Sequence, residues 1–200
     1  MLVFLIIYWA SSLSSNLNLG VRHLLPVFPF MFVLIGGTTI KWLKEPHLKL
    51  KIIFLAFLLA YQAASVMSIY PHFLAYFNEI AGGPENGHIF TVDSNLDWGQ
   101  DLRRLKQWLD ENEIDKIYLD YFGGGDPKYY LKEKFIRWSG EKKEQELPKG
   151  NYLAVSASPL QGGRGEPVPG FNQVSGYYNW LNKYKPIEKI GYSIFIYYID

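Results

Sequence analysis

The 200-residue chain contains no cysteine, which excludes a disulfide framework and any thiolate-bound metal centre. That absence suits a bacterial envelope protein as well as a cytosolic one, so it decides nothing about compartment. Histidine is scarce too: only His23, His47, His72 and His88 are present, and no HExxH pair is formed. No GxSxG stretch occurs either, which leaves a serine-nucleophile reading without support. Lysine and arginine total 20 against 19 acidic residues, and no dense basic stripe of the kind that binds nucleic acid is found. Charge itself is nearly missing from the front of the chain. Residues 1–72 hold Arg22, Lys41, Lys44, Lys49 and Lys51 against Glu45, a balance of +4. The remaining residues hold 15 basic and 18 acidic side chains, a balance of −3.

Long apolar runs fill the charge-poor front, and residues 1–72 read as a transmembrane region. Residues 52–70 (IIFLAFLLAYQAASVMSIY) carry no formal charge over 19 positions. As a helix they extend roughly 28 Å, close to the hydrocarbon thickness of a bilayer. Residues 24–40 (LLPVFPFMFVLIGGTTI) form a second uncharged run, with Pro26 and Pro29 in its first turns, where a missing N–H costs least. Residues 1–13 are a third apolar stretch, too short to span, and read as the end of a truncated helix. A signal peptide is the competing reading of that stretch, but the basic leading segment is missing. Between the two longer runs, residues 41–51 (KWLKEPHLKLK) form a predicted loop with four Lys against one Glu. Short lysine-rich loops stay cytoplasmic, which predicts that residues 14–23 and 73–200 are extracytoplasmic.

From residue 73 onward, short β-rich runs alternate with amphipathic stretches. Strands are predicted at 88–92, 116–122, 152–156 and 192–199, and helices at about 98–111, 128–135 and 175–183. In the first of these helices Leu102, Leu105, Trp108 and Leu109 fall on one face. Residues 139–149 and 159–170 read as loops. The alternation predicts a small α/β, Rossmann-like domain with a mainly parallel sheet, following the α-helical transmembrane segments.

The most unusual stretch is DSNLDWGQD at 93–101. Asp93, Asn95, Asp97 and Asp101 crowd the carboxyl end of the first predicted strand, where open α/β sheets place ligands. A calcium loop needs glycine sixth and glutamate twelfth, and Trp98 and Arg104 stand there instead. Helix capping is the competing account, with Asp97 as N-cap and Gln100 completing a capping box. GGGDP at 123–127 lacks the lysine and spacing of a phosphate loop and reads better as a turn, with Asp126 as N-cap and Pro127 opening a helix. No metal-ligating set is identified. Arg22 carries the only charge of its external loop, just before a spanning run, at the depth of lipid phosphates. Its guanidinium can grip a phosphate with paired donors or simply anchor the helix at the interface. His23 stands beside it, and His72, at the other membrane exit, could join such a site.

NLGVRHLLPVFPF at 18–30 and YFNEIAGGPENGHIFTVDSNLDWGQDL at 76–102 together resemble the C-terminal part of bacterial membrane glycosyltransferases. The family is the dolichyl-phosphate-mannose–protein mannosyltransferase-like group, glycosyltransferase family 39 and its relatives. The resemblance implies a polytopic enzyme of the C-type fold in the bacterial inner membrane. Such an enzyme takes a sugar from a polyprenyl-phosphate donor and delivers it to an acceptor outside the membrane, without a cofactor. Arg22 matches an arginine ahead of a late helix, which implies that Arg22 and His23 meet the donor phosphate. The family's acidic base lies in an early external loop that no residue here matches, so no catalytic residue is expected in this chain. The expected partners are membrane lipid, the lipid-linked sugar and a missing N-terminal transmembrane portion. The chain is then a fragment, or a subunit completing a split transferase, and inactive in sugar transfer alone.

The alternative is a membrane-anchored, non-catalytic module that binds a glycan or a protein. Tyr129, Tyr130, Trp138, Tyr177, Tyr178 and Trp180 are aromatic faces able to stack on sugars, and the loop 161–170, with Arg164 and Glu166, is a candidate contact surface.

Overall fold

The computed structural model describes residues 2–15, 20–166 and 174–200. The start of the NLGVRHLLPVFPF segment and the end of the predicted loop 159–170 lie outside the described residues. Two compact units divide the chain, Met1–Pro71 and His72–Asp200.

The first unit is helical. α1 (Leu2–Leu13) is 12 residues long, too short to span a bilayer. A 3₁₀ run, Val21–Val27, leads directly into α2 (Phe28–Lys44), with Pro26 in the run and Pro29 in the first turn of α2. α3 covers Leu48–Ser68. The continuous helical stretch Val21–Lys44 and α3 have 24 and 21 residues and mean hydropathies of 1.7 and 1.9, long and apolar enough to cross a membrane. Only 6% of either apolar window is buried within the protein, so both helices present apolar surface outward.

The predicted loop 41–51 contracts to residues 45–47. Lys41 and Lys44 continue α2, where positive charge suits the C-terminal end of the helix dipole. Pro46 stops it, and His47, at φ +69°, turns the chain into α3. Lys51 Nζ donates to the Trp42 carbonyl at 2.5 Å and lies 5.0 Å from the Trp42 ring, which supports the end of α2 across the turn.

The second unit holds a mixed five-stranded sheet ordered β2-β1-β3-β5-β4. Its strands are β1 (Ile117–Asp120), β2 (Phe135–Arg137), β3 (Asn151–Ser156), β4 (Glu188–Ile190) and β5 (Ile194–Ile199). β1 lies parallel to β2 and to β3, whereas β5 runs antiparallel to β3 and to β4. The expected mainly parallel sheet therefore holds for three strands only. A tight turn at residues 191–193 joins β4 to β5, and so short a connection can only make an antiparallel pair.

Four further elements lie around the sheet: α4 (Gly87–Phe90), α5 (Leu102–Glu111), α6 (Pro127–Leu131) and α7 (Ala157–Arg164). Leu102, Leu105 and Leu109 of α5 are buried with Leu131 of α6 against Ile117, Leu119, Ala154, Ile194 and Ile196. Burying each such leucine contributes roughly 1.5–3 kcal/mol. The alternate strand positions face the other way: Asp120 meets Tyr178, Phe195 meets His88, and Tyr197 meets Arg164.

Several predicted elements change. Residues 88–92 form no strand. His88, Ile89 and Phe90 belong to the single turn of α4, where the Phe77 ring occupies the space a side chain at Gly87 would need. Packing there overrides the β preference of the residues. The predicted helix 128–135 ends at Leu131, Lys132 takes φ +51°, and Phe135 already starts β2. The first part of the predicted loop 159–170 is helical, because Leu160 and Gly163 of α7 pack inward. The helix at 175–183 shortens to a 3₁₀ run, Asn179–Lys183.

Candidate functional site

The segment 93–101 crosses from the end of α4 to the start of α5 as a chain of local turns. Asp93, at φ +55°, opens a 3₁₀ turn, and its N–H donates to Ser158 Oγ of α7 at 2.9 Å. Ser94 Oγ donates to Asp93 Oδ2 at 3.2 Å. Leu96 is fully buried and pins the segment to the unit. The Trp98 indole N–H donates to the Ser94 carbonyl at 2.7 Å, which holds the ring against its own loop while 64% of the residue stays exposed.

The four predicted ligand residues differ in burial. Asp93 is exposed and Asn95 half-buried, whereas Asp97 and Asp101 turn into the interior. Among the described residues no group of three His, Asp or Glu side chains is placed to hold a metal ion. The predicted capping box is not formed either, because α5 begins at Leu102 and Asp97 lies too far ahead to cap it. Asp97 Oδ1 instead accepts the Gly99 N–H at 2.8 Å, an Asx turn, while the Trp98 N–H donates to Gln100 Oε1 at 2.8 Å.

Asp97 is buried, and the Ser156 hydroxyl stands near its carboxyl without completing a well-formed hydrogen bond to Oδ2. Burial pushes its carboxyl up to about 7; the Gly99 N–H works against that rise, the Asp101 charge adds to it, and the Ser156 hydroxyl opposes it. This acid therefore changes charge near neutral pH.

Asp101 is buried as well but fully engaged. Ser193 Oγ donates to its Oδ2 at 2.7 Å and Gln100 Nε2 to the same oxygen at 3.1 Å. Arg104, one turn along α5, donates to Oδ1, and His72 Nδ1 stands 4.0 Å from that oxygen. The carboxylate also presses on Gly191: a Cβ there would overlap all three carboxyl atoms. Burial lowers the His72 pKa, the Arg104 charge lowers it further, and Asp101 raises it. On the open side of Gly191 lies a cleft of about 370 Å³, lined by His72, Glu85, Glu188, Lys189, Gly191 and Tyr192. Lys189 spans part of it and bonds to Glu85 at 2.6 Å.

The GGGDP stretch takes the structural role expected of it. Asp126 accepts the Lys128 N–H at 2.9 Å, and Pro127 opens α6. Two of its three glycines, Gly123 and Gly125, are closely packed, and Gly124 is open. A Cβ on Gly123, at φ +141°, would strike the Gly99 backbone, and the Gly124 N–H donates to the Trp98 carbonyl at 3.3 Å.

Arg22 and His23 belong to the first unit, exposed in the 3₁₀ run that precedes α2. The Tyr8 hydroxyl of α1 donates to the His23 carbonyl at 2.6 Å, which fixes this corner. Of the aromatic residues considered for stacking, Trp138 and Tyr178 are buried, and Tyr129 is the well-exposed one. Trp98, Tyr192 and Ser193 are not among the predicted ligand residues, although Trp98 lies inside the DSNLDWGQD stretch. For Trp98 a signal was available, an aromatic ring between turn-forming residues, whereas the other two depend on how the last hairpin folds back. No protein-family model, no curated protein and no solved structure matches the chain.

Proposed function

We propose that this chain is the C-terminal portion of a polytopic membrane glycosyltransferase that uses a polyprenyl-phosphate-linked sugar and delivers it to an acceptor outside the membrane. The observation that carries the reading is Arg22, exposed at the head of a 24-residue apolar helix whose far end bears Lys41 and Lys44. With Lys49 and Lys51 opening α3 beside that far end, the charge distribution fits a helical hairpin with its lysine end in the cytoplasm. Arg22 and His23 then stand at phosphate depth on the outer face. The second unit follows on that same face, as an extracytoplasmic, Rossmann-like domain. The guanidinium neutralises the phosphate as the bond to the sugar breaks, and the acid–base residues come from the missing N-terminal portion. Alone, the chain binds the carrier without transferring sugar. In nanodiscs it should bind polyprenyl phosphate, and Arg22→Gln should weaken that binding about tenfold, the loss of one or two charge-assisted bonds. Unchanged binding by Arg22→Gln would refute the phosphate role, and sugar transfer by the unaided chain would refute the fragment reading.

A second reading, a membrane-anchored glycan-binding module, is favoured by the exposed Trp98 ring and the polar cleft beside His72 and Tyr192. Glycan binding by the full chain that is lost in Trp98→Ala but kept in Arg22→Gln would favour it.

A further inference from the structure

The segment that opens the second unit exposes large apolar side chains among polar ones. Ile80 is 97% exposed in a short 3₁₀ turn, Glu79–Ala81, and Ile89 of α4 is 64% exposed. Phe77 fills the space over Gly87, and its ring stacks on Phe90 at 6.4 Å with the planes 26° apart. Asn78 accepts the Ala81 N–H at 3.0 Å and closes the turn that carries Ile80. Between His72 and Phe90 there is no lysine or arginine; of the two acids, Glu85 is tied to Lys189 and Glu79 stands exposed beside Ile80.

Two isoleucines held out into water gain nothing for the fold and would be stabilised by a second, apolar medium. The chain supplies one. α3 ends at Ser68, and Phe73 opens the next 3₁₀ turn five residues later, a tether of at most roughly 17 Å. If α3 crosses a bilayer, the start of this segment at Phe73 lies within that distance of its membrane exit. We propose that Ile80 and Ile89 seat in lipid, at the boundary between headgroups and acyl chains of the bilayer that α3 enters. The inference rests on the membrane reading of α3 but needs neither a sugar donor nor catalysis.

The chain has no cysteine, so single spin labels can be placed on it cleanly. Ile80→Cys and Ile89→Cys would be labelled in the full chain, reconstituted in phosphatidylcholine–phosphatidylglycerol vesicles. Leu59→Cys, at an exposed position of α3, reports the span, and Glu111→Cys, at the exposed end of α5, reports water. Collision with oxygen, enriched in lipid, is compared with collision with a water-soluble nickel chelate. Labels at 80 and 89 should favour oxygen, as at 59, and show a severalfold loss of nickel collision relative to 111. Nickel access at 80 and 89 equal to that at 111 overturns the proposal. Shielding from both reagents overturns it too, because a protein then covers the face. If the label at 59 itself meets nickel, the membrane reading of α3 falls with it. Sugar transfer enters none of these readouts, so failure of the glycosyltransferase reading is seen separately.

Discussion

Ser193 Oγ donates to Asp101 Oδ2 at 2.7 Å and so ties the turn before β5 to the residue ahead of α5 across 92 positions of sequence. Arg104 and Gln100 add donors to the same buried carboxylate. Asp101→Ala strips three donors of their acceptor and leaves the Ser193 hydroxyl buried and unpaired. It should cost about 2–4 kcal/mol, and Ser193→Ala about 1–3 kcal/mol. Urea unfolding in detergent, followed by tryptophan fluorescence, measures both. Wild-type midpoints for both variants would contradict this account of the linkage.

Gly191 stands at φ +59° with the Asp101 carboxylate where a Cβ would go. Gly191→Ala therefore meets backbone strain and overlap together, and a loss of at least about 2 kcal/mol is expected. In an Asp101→Ala background the overlap disappears while the strain remains. The double-mutant cycle should then show a coupling of about 1 kcal/mol or more. Strictly additive losses would mean that the close approach has no energetic consequence.

On the opposite face, the Tyr178 hydroxyl donates to Asp120 Oδ2 at 2.5 Å, and both residues sit against the end of β1. Burial raises the Asp120 pKa and the tyrosine bond holds it back. Tyr178→Phe should raise that pKa further and cost about 1–3 kcal/mol of stability at neutral pH. Carboxyl carbon chemical shifts of Asp120 across a pH titration report the first effect, and a downward shift of its pKa would reject the assignment.

Much of this architecture is legible in the chain because its signals are local. The apolar runs ahead of residue 71 predict α2 and α3, the leucine spacing predicts α5, and Asp126-Pro127 predicts the start of α6. Less legible are features decided by contacts distant in sequence. β2 and β4 are three residues each, too short for a period to show. Residues 88–92 have a strand-like composition, yet they turn where Phe77 packs over Gly87. The acidic segment 93–101 is conspicuous in the sequence. The placing of Asp93 and Asp101 depends on Ser158, Ser193 and Gly191, 65 to 92 positions from the acid each one touches.

Asp97 offers the clearest pH signature. Its carboxyl is raised in the folded chain from an ordinary 3.8 to about 7, chiefly by burial. A group raised on folding contributes stability that is complete below its unfolded pKa and is lost as pH rises through the folded value. The loss therefore falls between about pH 4 and pH 7 and amounts to a few kcal/mol, at about 1.4 kcal/mol for each tenfold change in the acid's dissociation constant. His72 and His88, both lowered mainly by burial, act in the opposite sense: their contribution is present above their unfolded value and is lost as pH falls. The net curve of the wild-type chain mixes these effects, so the informative quantity is a difference. Asp97→Asn keeps a carbonyl oxygen for the Gly99 N–H and never ionises. Its stability relative to wild type should rise by a few kcal/mol between pH 4 and pH 7 and then level off. A difference that stays flat across that interval would mean that Asp97 is already ionised in the folded chain, and that its buried oxygen has a partner in solution.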